Sequence, residues 1–115
     1  MQAENVPKHK GLSGAEITHA ASLVNYQEGS IVSHEMVKKP TGTVTIFAFD
    51  EGEGLSEHTA PFDALVNVLE GEAEVSIAGK PNHLHGGDII LIPAQQTHSL
   101  KALKQFKMIL TMIRS

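Results

Sequence analysis

The sequence contains no cysteine, and its apolar runs are short. Without cysteine, no disulfide can stabilise the fold and no thiolate is available for catalysis or metal binding. The longest apolar runs, such as residues 89–93, are far shorter than the roughly 20 residues of a membrane-spanning helix. The first ten residues also lack the apolar core of a signal peptide. These absences predict a cytoplasmic protein that has no membrane partner.

Clustered basic charge is absent as well, and the net charge is −4. Residues 50–79 hold eight acidic side chains and neither Lys nor Arg. The basic residues near the C-terminus are Lys101, Lys104, Lys107 and Arg114. A phosphate-binding surface needs lysines and arginines gathered on one face, whereas these four are sparse and mixed with apolar residues. The sequence therefore predicts no nucleic-acid partner.

The remaining composition is that of one small globular domain. Of the 115 residues, 41% are hydrophobic and 19% are charged, which is enough apolar surface for a core. A chain of this length is too short for two independent cores. We divide it into an N-terminal arm, residues 1–20, and a single domain, residues 21–115. One or two helical turns are expected within residues 14–23.

Short runs rich in β-branched and aromatic residues, separated by glycine or proline, recur along the chain. No long segment has the 3.6-residue period of a helix between them. The predicted strands cover about residues 30–38, 43–50, 64–71, 72–79, 88–94 and 106–113. This pattern predicts an all-β sandwich or barrel.

Alternation is clearest in the strand predicted over residues 72–79. It places Ala73, Val75 and Ile77 on one face and Glu72, Glu74 and Ser76 on the other. Further along, His83 and His85 have the spacing of a metal-ligand pair, because alternate residues of a strand share a face. Leu84 falls where the pattern requires the inward residue, so we expect both histidines to face solvent. We therefore do not place them in the functional site.

Six residues fall at the spacings of two known motifs. Gly52, His58 and Gly71 match G-x5-H-x-H-x3 or x4-E-x6-G, and Gly87, Pro93 and His98 match G-x5-P-x-G-x2-H-x3-N. These motifs belong to the cupin family, which the sequence resembles over about residues 40–112. The resemblance implies a double-stranded β-helix, the cupin jelly-roll barrel, preceded by the short arm.

The metal-ligand positions of the motifs are only half retained. In cupins that bind metal, the ligands are two histidines and a glutamate of the first motif and the histidine of the second. The corresponding residues here are His58, Ala60, Ala64 and His98. A stable site needs three or four donors, so the resemblance implies a degenerate, weak site for one divalent transition-metal ion, held by His58 and His98. The two methyl groups predict a wider and drier pocket.

The second motif departs from the family pattern at two further positions, with Gln95 in place of glycine and Ala102 in place of asparagine. A third ligand could still come from Asp63 through a bulge, from His34, or from the amide oxygen of Gln95 or Gln96. The sequence leaves these possibilities open.

The interior is expected to form a largely apolar ligand pocket. Its predicted lining is His58, His98, Ala60, Ala64, Phe47, Phe49, Met108 and Met112. Such a pocket suits a small, weakly polar organic ligand, which favours a binding module. The alternative is a metal-dependent cupin enzyme of the dioxygenase or isomerase type that uses His58 and His98. Metal-free acid–base catalysis ranks last, because no acidic residue is predicted inside.

A homodimer is the expected assembly. The segment of about residues 22–38 lies outside both motifs, and a small barrel has exposed sheet edges that can pair with a second copy. The resemblance points the same way, because cupins commonly form dimers.

Overall fold

The computed structural model describes residues 11–114. It contains a 3₁₀ helix, Ala20–Leu23, and nine strands. The strands are β1 (Ile31–Lys39), β2 (Gly42–Phe49), β3 (Gly54–His58), β4 (Asp63–Glu70), β5 (Glu72–Ile77), β6 (Lys80–His85), β7 (Ile89–Ile92), β8 (His98–Ala102) and β9 (Phe106–Ile113). The all-β prediction is confirmed. No helix among these residues is long and apolar enough to span a membrane.

The strands form two antiparallel sheets. The first has the order β1-β2-β9-β4-β7 and the second the order β3-β8-β5-β6. All strand pairs are antiparallel. Neighbours in both sheets are mostly far apart in sequence, so the chain passes repeatedly from one sheet to the other. The two inner faces enclose a single main core.

The core is filled by the inward residues of both sheets. Its largest fully buried side chains include Phe49, Phe106, Ile92, Met108, Val66, Val68 and Val75. Phe49 stacks on Phe106 with ring centroids 4.6 Å apart. Burial of each such side chain contributes roughly 1.5–3 kcal/mol. The alternation predicted for β5 is confirmed, because Ala73 and Val75 are fully buried while Glu72 and Glu74 are partly exposed.

The chain before β1 packs on the outer face of the first sheet. Val24 joins Met36, Ile46 and Ala48 in a second apolar cluster there. The ammonium group of Lys107 donates a hydrogen bond to the Ala21 carbonyl at 2.6 Å. This part of the sheet is therefore covered by the chain itself.

The same segment is fixed at a second point by Tyr26. The Lys107 ammonium lies 5.1 Å from the centre of the Tyr26 ring, within the range of a cation–π interaction. The Tyr26 hydroxyl donates to Glu70 Oε2 at 2.6 Å. Burial, and then this contact with a carboxylate, raise the pKa of Tyr26 above its usual value.

Three observed strands, β3, β6 and β8, are not among the six predicted ranges. Each is only five or six residues long and mixes polar with apolar residues. They are strands because neighbours in the second sheet satisfy their backbone groups, a tertiary effect that local composition does not carry. The helical turns expected in residues 14–23 reduce to the single 3₁₀ turn. The first ten residues of the predicted arm lie outside the described part of the chain.

Candidate functional site: a cavity with two histidines

His58 and His98 lie side by side at one end of the second sheet. His58 ends β3, His98 begins β8, and the two residues are Cα partners in the pairing of these strands. Their ring centroids are 4.3 Å apart and the ring planes are inclined by 59°. The fold therefore brings together two imidazoles that are forty positions apart in the sequence.

Backbone carbonyl groups orient both rings in the same way. His58 Nδ1 is 2.7 Å from the Ser56 carbonyl oxygen, and His98 Nδ1 is 2.9 Å from that of Gln96. Because a carbonyl oxygen can only accept, each Nδ1 carries the proton that it donates. In the neutral rings, both Nε2 atoms then hold a lone pair. That nitrogen can accept a hydrogen bond or bind a metal ion.

These histidines border a small cavity between the sheets, of about 60 Å³. Its other lining residues are Leu55, Ala60, Ala64, Val66, Ile92, Leu100, Met108, Leu110 and Met112. Within residues 11–114, the two imidazoles are the only ionisable groups among the residues that line it. The site is thus an apolar cavity with a polar pair at one side.

The residues present do not fit a fully protein-ligated metal ion inside this cavity. Ala60 and Ala64 line it with methyl groups at the positions where the motif resemblance implies ligands. Ala64 is 5% exposed and lies between Ile92 and Met112 in the first sheet. Among the described lining residues, only His58 and His98 offer donor atoms. Two donors are fewer than the three or four of a stable site.

The residues considered as a third ligand point elsewhere. Asp63 Oδ1 accepts a hydrogen bond from the Ala94 backbone at 2.9 Å, so its carboxylate is engaged outside the cavity. His34 pairs with Ile46, a member of the apolar cluster on the outer face of the first sheet. Gln95 and Gln96 are exposed and do not line the cavity. None of these residues completes a set of ligands.

Phe47 and Phe49 are not in the cavity lining, whereas the other six expected residues are. In the register of β2 against β9, Phe47 lies opposite Met108 and Phe49 lies opposite Phe106. The cavity continues along β9 in the opposite direction, toward Met112. The two phenylalanines pack on each other instead, with centroids 5.9 Å apart, and contribute to the core.

A carboxylate on the inner face of β1 is a feature that the sequence reasoning missed. Ile31 on this strand packs into the main core, and alternation gives Glu35 the same face. Glu35 pairs with Thr45, which in turn pairs with the cavity residue Leu110. The strand alternation was the signal, but the sequence alone did not show which face of β1 is the inner one.

A second histidine pair lies on the outer face of the second sheet. His83 and His85 are exposed and Leu84 between them is 4% exposed, which confirms the orientation expected from alternation. Their rings are stacked at 4.3 Å and Glu72 contacts His83. This pair is not part of the functional site predicted from the sequence, because both side chains are expected to face solvent and not the interior.

Two antiparallel sheets that enclose a histidine-bordered cavity define the class as a small jelly-roll barrel. The model of the family described as "Cupin domain" matches residues 45–114, and the chain belongs to the cupin family. The fold predicted from the motif resemblance is thereby confirmed. The comparison with curated proteins gives no match.

Solved structures support the same assignment. A conserved protein of unknown function from Streptococcus pyogenes is 25% identical, with a TM-score of 0.87, and the match covers 96% of this chain and 97% of that one. A cupin superfamily protein from Desulfitobacterium hafniense is also 25% identical, with a TM-score of 0.85 and coverage of 95% and 100%. A cupin 2 conserved barrel domain protein from Leptotrichia buccalis is 42% identical, with a TM-score of 0.79, and the match covers 82% of this chain but 46% of that one.

Proposed function

We propose that this cupin binds a small, largely apolar organic ligand in the barrel cavity. The observation that supports the proposal is the lining, in which nine apolar side chains surround the space and two imidazoles supply the polar groups. Concave sites of this composition, with a few convergent polar groups, are typical of small-molecule binding. The apolar surface gives affinity and the histidines give orientation.

The size of the cavity limits the ligand. Its volume of about 60 Å³ is well below the roughly 150 Å³ of an apolar cavity that encloses benzene. A short aliphatic group fits, and the rest of the ligand then extends to the mouth beside the histidines. His58 is exposed and His98 is half-buried, so the polar end of the ligand meets them at the boundary with water.

The protonation pattern of the histidines determines which polar group of a ligand can form a hydrogen bond with them. With Nδ1 engaged by a backbone carbonyl, each neutral ring offers an acceptor at Nε2. A hydroxyl group on the ligand satisfies one of these nitrogens as donor. We therefore expect short alcohols and hydroxylated or enolisable carbonyl compounds to bind better than pure hydrocarbons of the same size.

Methionine methyl resonances give a direct test. Met108 and Met112 line the cavity, whereas Met36 is buried in the separate cluster on the outer face and serves as internal control. Titration with alcohols, ketones and hydroxyketones of three to five carbons should shift the methyl signals of Met108 and Met112 and leave Met36 unchanged. If no probe moves these two signals, the cavity does not bind this class of ligand.

A cavity-filling variant sharpens the test. Ala64→Val adds two methyl carbons at a buried position on a strand, where a β-branched residue is favoured. It should reduce probe binding at least about tenfold by occupying the space, and an unshifted Met36 signal shows that the variant is folded. Unchanged probe affinity in this variant would place the ligand elsewhere.

The alternative function is a metal-dependent cupin enzyme of the dioxygenase or isomerase type. It is favoured by the two Nε2 atoms left available by the backbone contacts of Nδ1. When bound, a divalent transition-metal ion supplies Lewis-acid or redox chemistry at its open positions. In a His83→Ala/His85→Ala background, which removes the histidine pair on the outer face of the second sheet, protein purified without tag or chelator should then contain near-stoichiometric metal that is lost on replacement of both His58 and His98. A metal content near zero that added ions do not restore would remove this alternative.

We also propose a homodimer. The exposed apolar residues Leu65, Ile89 and Leu91 lie on neighbouring strands at the β7 edge of the first sheet, and Leu65 and Leu91 are paired. Such a patch is suited to burial against a second copy. Sedimentation should show a dimer at micromolar concentration, and Leu91→Lys should shift it to monomer. A monomeric wild-type protein would contradict the proposal.

A further inference from the structure

We propose that the outer face of the second sheet binds a divalent transition-metal ion through Glu72, His83 and His85. We call these three residues the outer site. It is separate from the cavity, because Leu84, which lies between its histidines, points into the core. The inference does not depend on the ligand proposed for the cavity.

Strand geometry brings the three side chains to one face. Alternation on β6 gives His83 and His85 the same outward direction, and their rings stack at 4.3 Å with an interplanar angle of 27°. In the pairing of β5 with β6, Glu72 lies opposite His85 and Glu74 lies opposite His83. Two imidazoles and a carboxylate therefore share one patch of an ordered sheet.

The donor atoms are already close to the spacing of a coordination sphere. His83 Nε2 lies 3.0 Å from Glu72 Oε1, and one ligand atom of each of the three residues lies within 4.8 Å of the others. Around a tetrahedral ion with bonds of about 2.0–2.2 Å, neighbouring ligand atoms are about 3.4 Å apart. The side chains of Glu72, His83 and His85 are 34%, 49% and 58% exposed. They are thus free to rotate by the small amount that closes the site.

Charge and orientation both favour a cation here. Glu72 supplies the negative charge that the cavity histidines lack. Asp88 Oδ2 accepts the backbone N–H of His85 at 2.7 Å and lies 3.8 Å from His85 Nδ1. A carboxylate beside Nδ1 favours the proton on that nitrogen and leaves Nε2 for the ion. Asp88 is thus a positioning residue for His85.

The donor set selects the metal. Two imidazoles and one carboxylate suit Zn²⁺, Ni²⁺ and Cu²⁺, whereas Ca²⁺ and Mg²⁺ prefer oxygen ligands only. Two histidines and a glutamate with an open fourth position also form a known arrangement of zinc sites. Because the outer site is exposed, water completes the coordination.

Calorimetric titration with Zn²⁺ tests the proposal. The reference is the His58→Ala/His98→Ala protein, in which the cavity pair cannot contribute. It should bind one Zn²⁺ and show no binding of Ca²⁺. Further replacement of His83 and His85 by alanine, or of Glu72 by glutamine, should weaken Zn²⁺ binding at least about tenfold.

The remaining histidines of the chain are present in every protein of this series, so they form a common background. All the outer-site replacements are at exposed or half-exposed positions, and thermal unfolding without metal verifies that each variant is folded. Equal Zn²⁺ affinity in the reference and in the variants of Glu72, His83 and His85 would overturn the proposal.

Discussion

The two histidine pairs have the same ring separation and different surroundings. The centroids are 4.3 Å apart in both pairs. At the cavity, backbone carbonyls hold the Nδ1 atoms of His58 and His98, and the neighbouring lining is apolar. At the outer site, Glu72 contacts His83 and Asp88 lies beside His85. Our proposals of an organic ligand at one pair and a metal ion at the other therefore rest on the groups around each imidazole pair, and not on the pairs themselves.

The largest expected effect comes from giving the cavity the donors that it lacks. Ala60→His together with Ala64→Glu would place four ligands around the cavity, as the motif resemblance implies. In a background without His83 and His85, Zn²⁺ affinity should rise at least about 100-fold, on the order of tenfold for each added donor. Competition with a chromophoric chelator measures this gain.

Two controls accompany this gain-of-function variant. Additional replacement of His98 by alanine should remove most of the gained affinity, because the donors act together. Without metal, the buried carboxylate that Ala64→Glu introduces should lower the melting temperature, and Zn²⁺ should restore it. A gain that persists after His98 is removed would show that the four positions do not converge.

A smaller effect is expected at the outer site from Asp88→Asn. Asparagine keeps an oxygen that can accept the His85 backbone N–H, so the turn is retained while the charge beside His85 Nδ1 is lost. Zn²⁺ affinity of the outer site should fall about tenfold, the lower end of the range for groups that orient a metal-binding histidine. Titration in the His58→Ala/His98→Ala background measures the change. An unchanged affinity would remove Asp88 from the site and leave the three ligands.

The cavity pair could be predicted from sequence because its motif is tied to backbone constraints. Gly71 has φ +85°, and a Cβ there would collide with the Gln105 carbonyl oxygen, so only glycine fits at this position. Fixed points of this kind set the spacing around His58 and His98. The motif does not fix which residues fill the space between the sheets, and Phe47 and Phe49 pack in the core without lining the cavity.

The outer site could be predicted only in part, because its third member depends on a hairpin. Ala78 and Gly79 both have positive φ, the signature of a two-residue turn, and this turn pairs Ile77 with Lys80. Counting outward from the turn places Glu72 opposite His85. The strand predicted over residues 72–79 includes both turn residues, Ala78 and Gly79, because Ala-Gly is a weaker turn signal than Asn-Gly.

The smallest expected effect concerns the turns that support each pair. Gln95 has φ +69° and precedes Gln96, whose carbonyl orients His98, and Ala78 has φ +51° in the hairpin of the outer site. A residue with a Cβ atom in the left-handed region destabilises the folded state by about 1–2 kcal/mol, and glycine avoids this cost. Glycine also increases the conformational entropy of the unfolded chain, which offsets part of the gain. Gln95→Gly should therefore raise the free energy of unfolding by up to about 1 kcal/mol. The Gln95 backbone N–H, which donates to the Ala60 carbonyl at 2.8 Å, is unaffected by the change.

Ala78→Gly is the matched variant at the other pair, and it should increase the free energy of unfolding by a similar amount, measured by urea denaturation. Destabilisation by Gln95→Gly alone would show that the Gln95 side chain contributes contacts that stabilise the turn beside the cavity.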